Sequence, residues 1–199
     1  MADETLARTL TNRFTDALAL ACELHRSQSR KGTQIPYVSH LLAVASIALE
    51  HGATEDEAIA AVLHDAVEDQ GGRATAALIR ERFGNAVAEI VEASSDTDVT
   101  PKPPWKERKQ RYLDHLRHAA PSVRLVSAAD KLHNARAILS DYRVHGEALW
   151  HRFNGGKDGT LWYYRELVNA FESHATTPLV TELRRVVVEL NQLAGQHWV

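Results

Sequence analysis

Apolar residues recur every three or four positions along nearly the whole chain, and this period limits the fold more than any other feature. Leu6, Leu10, Phe14, Ala17, Leu18, Ala21 and Leu24 share one face of a first helix. Leu41, Val44, Ala45, Ala48 and Leu49 mark a second, stopped near Gly52. Thr54, with Glu57 three residues on, is a capping-box pattern. It opens a third helix carrying Ile59, Val62, Leu63 and Val67, which Gly71 and Gly72 end. Two short helices are expected around Gly84, a position suited to a left-handed cap. Residues 94–104 hold three prolines and no apolar period, so they read as a loop. A helix from about Trp105 ends before Pro121, and Ser122 caps the next, with Val123, Val126, Ala129, Leu132 and Ile138. Gly155, Gly156 and Gly159 mark a turn before Leu161, Tyr164, Leu167, Val168 and Phe171, and Pro178 opens the last helix. Strand-like alternation is absent. The expected fold is all-α, a bundle of roughly eight to ten helices. No linker, repeat or biased tract divides the chain, so one domain is expected over residues 1–199.

Bulk properties narrow the function classes. With 199 residues the chain can bury a sizeable core. A net charge of −3 leaves no global basic surface, so no nucleic-acid partner is expected. The N-terminus lacks a basic segment followed by an apolar one, and the longest apolar stretch, 41–49, is about half of a membrane span. No membrane partner is expected, and the cytoplasm is the default location. The one cysteine, Cys22, cannot form an internal disulfide and is expected to be packed.

Chemistry concentrates in residues 64–69, His-Asp-Ala-Val-Glu-Asp. On a helix, His64 lies over Glu68 and Asp65 over Asp69. This polar patch follows Ala61, Val62 and Leu63, where the helix should be entering the core. His40 likewise starts an apolar helix, and Asp130 interrupts an apolar run, 125–129. A buried carboxylate needs a partner. Taken alone, His40 reads as a core or capping histidine, and Asp130 is as well served by a salt bridge to a nearby Lys or Arg as by a metal. Together with His64 and Asp65, the four form a mixed nitrogen and oxygen set whose two charges balance a dication, such as Mn²⁺ or Fe²⁺. His25, His51, His115, His118, His145, His151, His174 and His197 have no such setting and are expected on solvated faces or in loops.

The order His40, His64-Asp65, Asp130 resembles the HD-domain phosphohydrolases. Arg30-Lys31, Pro36-Tyr37-x-x-His40, residues 63–69, Phe83-Gly84, 107–109 and 129–134 look like the hydrolase domain of the RelA/SpoT homologues, over about residues 14–140. No synthetase or regulatory segment is apparent, which points to the small stand-alone alarmone hydrolases, and residues 160–165 are similar to the closing region of bacterial short forms. The resemblance implies removal of the 3′ pyrophosphate from ppGpp and pppGpp with one divalent ion, usually Mn²⁺. It implies His40, His64, Asp65 and Asp130 as metal ligands, Glu68 and Asp69 as the catalytic acidic pair, and Arg30, Lys31 and Asn134 as substrate-binding residues.

Those types suit the reaction. Ester hydrolysis needs an activated water and a protonated leaving group, and two adjacent carboxyls can share the proton work. Arg30 could stack on a base or fork a phosphate, and Lys31 supplies a point charge. Either could also be a solvated loop residue. Lys102, Lys106, Lys109, Arg152 and Lys157 are further candidates for phosphates. The interval from Arg30 to His40 is one residue longer than in the bifunctional enzymes, and 94–98 stand where a Thr-Asp-Asp run is common. These departures leave guanine as the default base and an adenine alarmone open. Two other readings stay open: an HD phosphohydrolase of nucleoside monophosphates or cyclic nucleotides, and a nucleotide-binding module without turnover.

Overall fold

The computed structural model describes residues 9–95, 103–196 and 198. Ten α-helices run in order among them: α1 (Asn12–Leu24), α2 (Val38–Glu50), α3 (Glu55–Leu63), α4 (Ala66–Asp69), α5 (Arg73–Phe83), α6 (Asn85–Ser94), α7 (Trp105–Leu116), α8 (Pro121–His145), α9 (Gly156–Glu172) and α10 (Pro178–Leu193). A 3-10 helix covers Gly146–Arg152. Extended pairing among the described residues is limited to an isolated bridge between Ser29 and Pro36, so the all-α expectation holds. The helices group into two compact units. One comprises residues 1–102 and 120–129, the other 103–119 and 130–199, and one of the boundaries, 129/130, falls inside α8.

In the first unit α3 is central, packing on α1, α2 and α6. Its entry is fixed by the expected capping box: Thr54 Oγ1 accepts from the Glu57 amide, and the Thr54 amide donates to Glu57 Oε2 at 2.7 Å. Glu55, Asp56 and Glu57 add negative charge at the helix N-terminus, where the dipole favours it. Beyond that turn, Ala58, Ile59, Ala60, Ala61, Val62 and Leu63 are all fully buried. A helix apolar on every side belongs inside a bundle, and three alanines let its neighbours approach closely. Arg13 on α1 is tied to Asp56 at 2.8 Å and donates to the Phe83 carbonyl at 2.9 Å.

The helix expected from Thr54 through the Gly71-Gly72 pair does not run unbroken. It stops at Leu63, turns at His64 and Asp65, and resumes as the single turn α4. The Asp65 φ/ψ of −96°/−3° lies at the edge of helical space and redirects the chain. Cys22 is exposed rather than packed, because the buried face of α1 is Ala17, Leu20 and Ala21. Leu6 lies outside the described residues, as do positions 96–102 of the expected proline-rich loop.

In the second unit α9 packs on α7, α10 and the 3-10 helix. Only part of the glycine cluster expected to form a turn does so. Gly159 sits inside α9. Both Gly155 and Gly159 make room for Trp105: a Cβ on Gly155 would lie 2.6 Å from its Cη2, and one on Gly159 3.2 Å from its Cζ3. These glycines serve a close helix contact.

Candidate metal centre and acidic pair

His40, on the first turn of α2, and His64, at the C-cap of α3, are almost wholly buried. The His64 Nε2 lies 3.0 Å from Asp65 Oδ2, and the His40 Nε2 lies 3.5 Å from the same oxygen. One ligand atom from each of His40, His64 and Asp65 can be chosen so that all lie within 4.8 Å of one another. The His64 Nδ1 is 2.8 Å from the Ala61 carbonyl, which can only accept, so this nitrogen carries the hydrogen. In the neutral ring Nε2 is then an electron-pair donor facing a carboxylate oxygen. Two such atoms at 3.0 Å call for a cation, and the residues fit a divalent metal: a fixed tautomer, a second imidazole and an anionic oxygen. His64 and Asp65 form the turn between α3 and α4.

Tyr37 buttresses this cluster. Its hydroxyl donates to Asp65 Oδ2 at 2.5 Å, and its ring meets His40 edge-on at 5.4 Å. On its other side Tyr37 stacks on His25 at 5.3 Å. His25 is a correction to the sequence expectation: it is 1% exposed, not solvated. Its neighbours Arg26 and Ser27 are polar and exposed, and they hide it in the sequence. His115, His118, His145, His151 and His174 are exposed as expected, and His197 lies outside the described residues.

Glu68 and Asp69 follow on α4. Asp69 has its carboxyl raised above the ordinary range. Loss of water around it is the leading cause; the Gln28 amide opposes this, and the charges of Asp65 and Glu68 add to it. The Gln28 amide donates to Asp69 Oδ2 at 2.8 Å. Sequence reasoning missed Gln28 and Tyr37, although Tyr37 lay in the Pro36-Tyr37-x-x-His40 motif. Arg30 and Lys31 sit on the loop between α1 and α2. The Arg30 amide donates to the Ile35 carbonyl at 2.8 Å, the Tyr37 amide to the Gln28 carbonyl at 2.9 Å, and the Arg30 guanidinium lies 6.0 Å from the Tyr37 ring centre. Lys31 is exposed.

Asp130 and Asn134 belong to the second unit. Asp130 is buried and accepts from Lys131 Nζ at 2.6 Å and from Asn134 Nδ2 at 2.5 Å. Burial alone would lower the Lys131 ammonium, but the Asp130 carboxylate outweighs it and, with Tyr112 and Tyr163, holds it well above the ordinary lysine range. The salt-bridge partner that a buried Asp130 requires is therefore its chain neighbour. The other basic candidates of this unit also have partners: Lys106 lies 3.1 Å from the Trp162 ring centre, Lys109 5.0 Å from that of Tyr163, Arg152 pairs with Asp141 and Lys157 with Glu147. Lys102 lies outside the described residues. No helix among the described residues is long and apolar enough to cross a membrane.

A helical scaffold that brings two buried imidazoles and a carboxylate onto one point defines a metal-binding protein of the HD type. The HD-domain family matches residues 17–160, and the chain belongs to that family. It is similar to the guanosine-3′,5′-bis(diphosphate) 3′-pyrophosphohydrolase MESH1 of Xenopus tropicalis, 40% identical over 126 residues, 62% of this chain and 68% of that protein. The Homo sapiens enzyme of the same name is 36% identical over 145 residues, 68% of this chain and 78% of that protein. Among solved structures, a metazoan ortholog of SpoT described as hydrolysing ppGpp matches with a TM-score of 0.77 and 26% identity, covering 93% of this chain and 98% of that one. A Listeria monocytogenes protein matches with a TM-score of 0.68 and 30% identity, covering 77% and 99%.

Proposed function

We propose that this protein hydrolyses alarmone nucleotides of the (p)ppGpp type at the 3′ position, giving GDP or GTP and pyrophosphate. The observation that carries this reading is the identity of 36–40% to enzymes of that one activity, across 68–78% of their length. The His40–His64–Asp65 convergence supplies the chemistry that such an activity needs. The family match includes residues of both compact units, which supports reading residues 1–199 as one hydrolase domain.

In this reading His40, His64, Asp65 and Asp130 hold one divalent ion. Mn²⁺ suits a set of two nitrogens and two carboxylates. Such an ion lowers the pKa of water and polarises a phosphoryl oxygen. His64 presents Nε2 because Ala61 fixes its tautomer, and Tyr37 holds the Asp65 carboxylate in place. Glu68 orients the attacking water or takes its proton. Asp69, whose carboxyl is raised above the ordinary range by loss of water, supplies a proton to the departing ribose oxygen. Arg30 and Lys31 hold the nucleotide, and Asn134 faces its ribose and phosphate. Guanine is the expected base, with ppApp a second substrate to test. The protein acts in the cytoplasm on a small nucleotide, without a nucleic-acid or membrane partner.

The test is turnover of ppGpp, ppApp, nucleoside monophosphates and cyclic nucleotides by chelator-treated protein, with and without added Mn²⁺. Activity on ppGpp that returns with Mn²⁺, and falls with metal content in Asp65→Asn and Asp130→Asn, is the expected result. Full activity in the metal-stripped sample, or turnover confined to the simple nucleotides, would overturn the reading.

A further inference from the structure

The Gln28 side chain lies between the α1–α2 loop and the acidic pair. Its Oε1 receives two donors, His25 Nδ1 at 2.6 Å and Gln70 Nε2 at 2.5 Å. Its Nε2 donates to Asp69 Oδ2 at 2.8 Å, and its backbone carbonyl accepts the Tyr37 amide at 2.9 Å. Of the two orientations an amide can take, the one that directs Nε2 at the Asp69 carboxylate satisfies all three side-chain contacts when Gln70 presents its NH₂ group and His25 carries its hydrogen on Nδ1. Reversal would set the NH₂ group against the Gln70 amide hydrogen and its oxygen against the Asp69 carboxylate. His25, buried and stacked on Tyr37, places Nδ1 2.6 Å from the same oxygen and donates to it in the tautomer that carries the hydrogen there.

We infer that Gln28 is a positioning residue for Asp69, its amide oriented by His25 and Gln70 so that it donates to Asp69 Oδ2. This inference rests on the role proposed above for Asp69. Donation to Oδ2 fixes the rotamer of a carboxylate carried on a helix of a single turn, too short to be rigid by itself. With Oδ2 committed to the amide, proton transfer to or from the reacting groups falls to Oδ1. The two residues that orient Gln28 flank it on both sides: His25 ends α1, and Gln70 follows Asp69 directly. Gln28 acts on substrate only through Asp69.

Gln28→Glu is the sharpest test. The substitution keeps the length of the side chain and an oxygen for His25 and Gln70, and replaces the donor to Asp69 by a second oxygen. In Mn²⁺-loaded full-length protein kcat for ppGpp should fall about 10- to 100-fold, the range typical of supporting hydrogen bonds around a reactive site. KM and metal content should stay within about twofold. Adding Gln28→Glu to Asp69→Asn should lower kcat no further, because the two act as one unit. Gln28→Met, which lacks the donor without adding charge, should show the same kcat loss and carries the test if the Glu variant does not fold. Equal losses in the presence and absence of Asp69, or an effect on KM alone, would overturn the inference. Full kcat in Asp69→Asn would remove it together with the role of Asp69. If wild-type protein turns over no alarmone, the substrate reading fails by itself, and the same cycle is run on the nucleotide the panel identifies.

Discussion

One backbone carbonyl decides which nitrogen His64 presents to the proposed metal site. Ala61 fixes the hydrogen on Nδ1, and beyond the end of α3 the Asp65 carboxylate lies 3.0 Å from Nε2. The sequence already singled out His64 and Asp65, because a His-Asp pair directly after a buried apolar run needs a partner. It could not show Gln28, whose side chain bonds to residues about forty positions away, nor His25, whose partner three positions on is Gln28 itself. Glu68 stands one position before the residue that Gln28 holds. Glu68→Gln removes the proton acceptor and keeps the shape, so it should leave metal content and KM largely intact and lower kcat by about 10² to 10⁴-fold. Steady-state kinetics with metal analysis decides; an unchanged kcat with a raised KM would reduce Glu68 to a substrate contact. Arg30, on a loop stapled at both ends, should behave in the opposite way. A base or phosphate contact acts in the ground state as well as in the transition state, so Arg30→Ala should raise KM more than it lowers kcat. Unchanged kinetics would return Arg30 to a loop without contact to substrate.

At the scale of elements, the starts of α3 and α10 were legible, whereas α8 begins at Pro121, ahead of the expected Ser122 cap, and the break after Leu63 was not legible. Thr54 with Glu57 and Thr177 with Pro178 open α3 and α10 where their chemistry requires. The stop between α3 and α4 has no glycine or proline to mark it, since His64 and Asp65 keep helical or near-helical angles. The glycines before α9 misled for a related reason. A glycine signals a turn or a close approach with the same letter, and here Trp105 is the approach. At Gly155 φ is −83°, which any residue adopts, so the added methyl of Gly155→Ala would act through packing alone. Overlap with the indole should lower stability by about 1–3 kcal/mol, against a small gain from reduced chain freedom. For a chain of this size that is a fall in Tm of about 2–4 °C per kcal/mol, read by thermal denaturation. An unchanged Tm would show that the indole yields freely.

Across the whole molecule, periodicity was enough for an all-helical bundle, and the order of four polar residues was enough for the family. The two compact units meet in sequence at 102/103, 119/120 and 129/130, and the last of these boundaries lies inside α8, where nothing in the composition changes. Substrate chemistry lies beyond periodicity altogether and follows from the acidic pair and the relatives. If the 3′ diphosphate is the substrate, two bonds are open to water. Attack at the inner phosphorus expels the ribose 3′ oxygen and releases intact pyrophosphate. Attack at the outer phosphorus leaves a 3′ monophosphate and releases orthophosphate. The ribose oxygen is a poor leaving group and requires a proton, whereas a departing phosphate requires much less help. In the role proposed for it, Asp69, whose carboxyl is raised above the ordinary range by loss of water, supplies that proton. Pyrophosphate should therefore be the first phosphorus-containing product, with GDP or GTP beside it. In ¹⁸O-labelled water the label should enter pyrophosphate and be absent from the nucleotide, as mass spectrometry of the separated products would record. Orthophosphate as the initial product, or label on the 3′ oxygen, would mean that a different bond breaks and that Asp69 does not protonate the ribose.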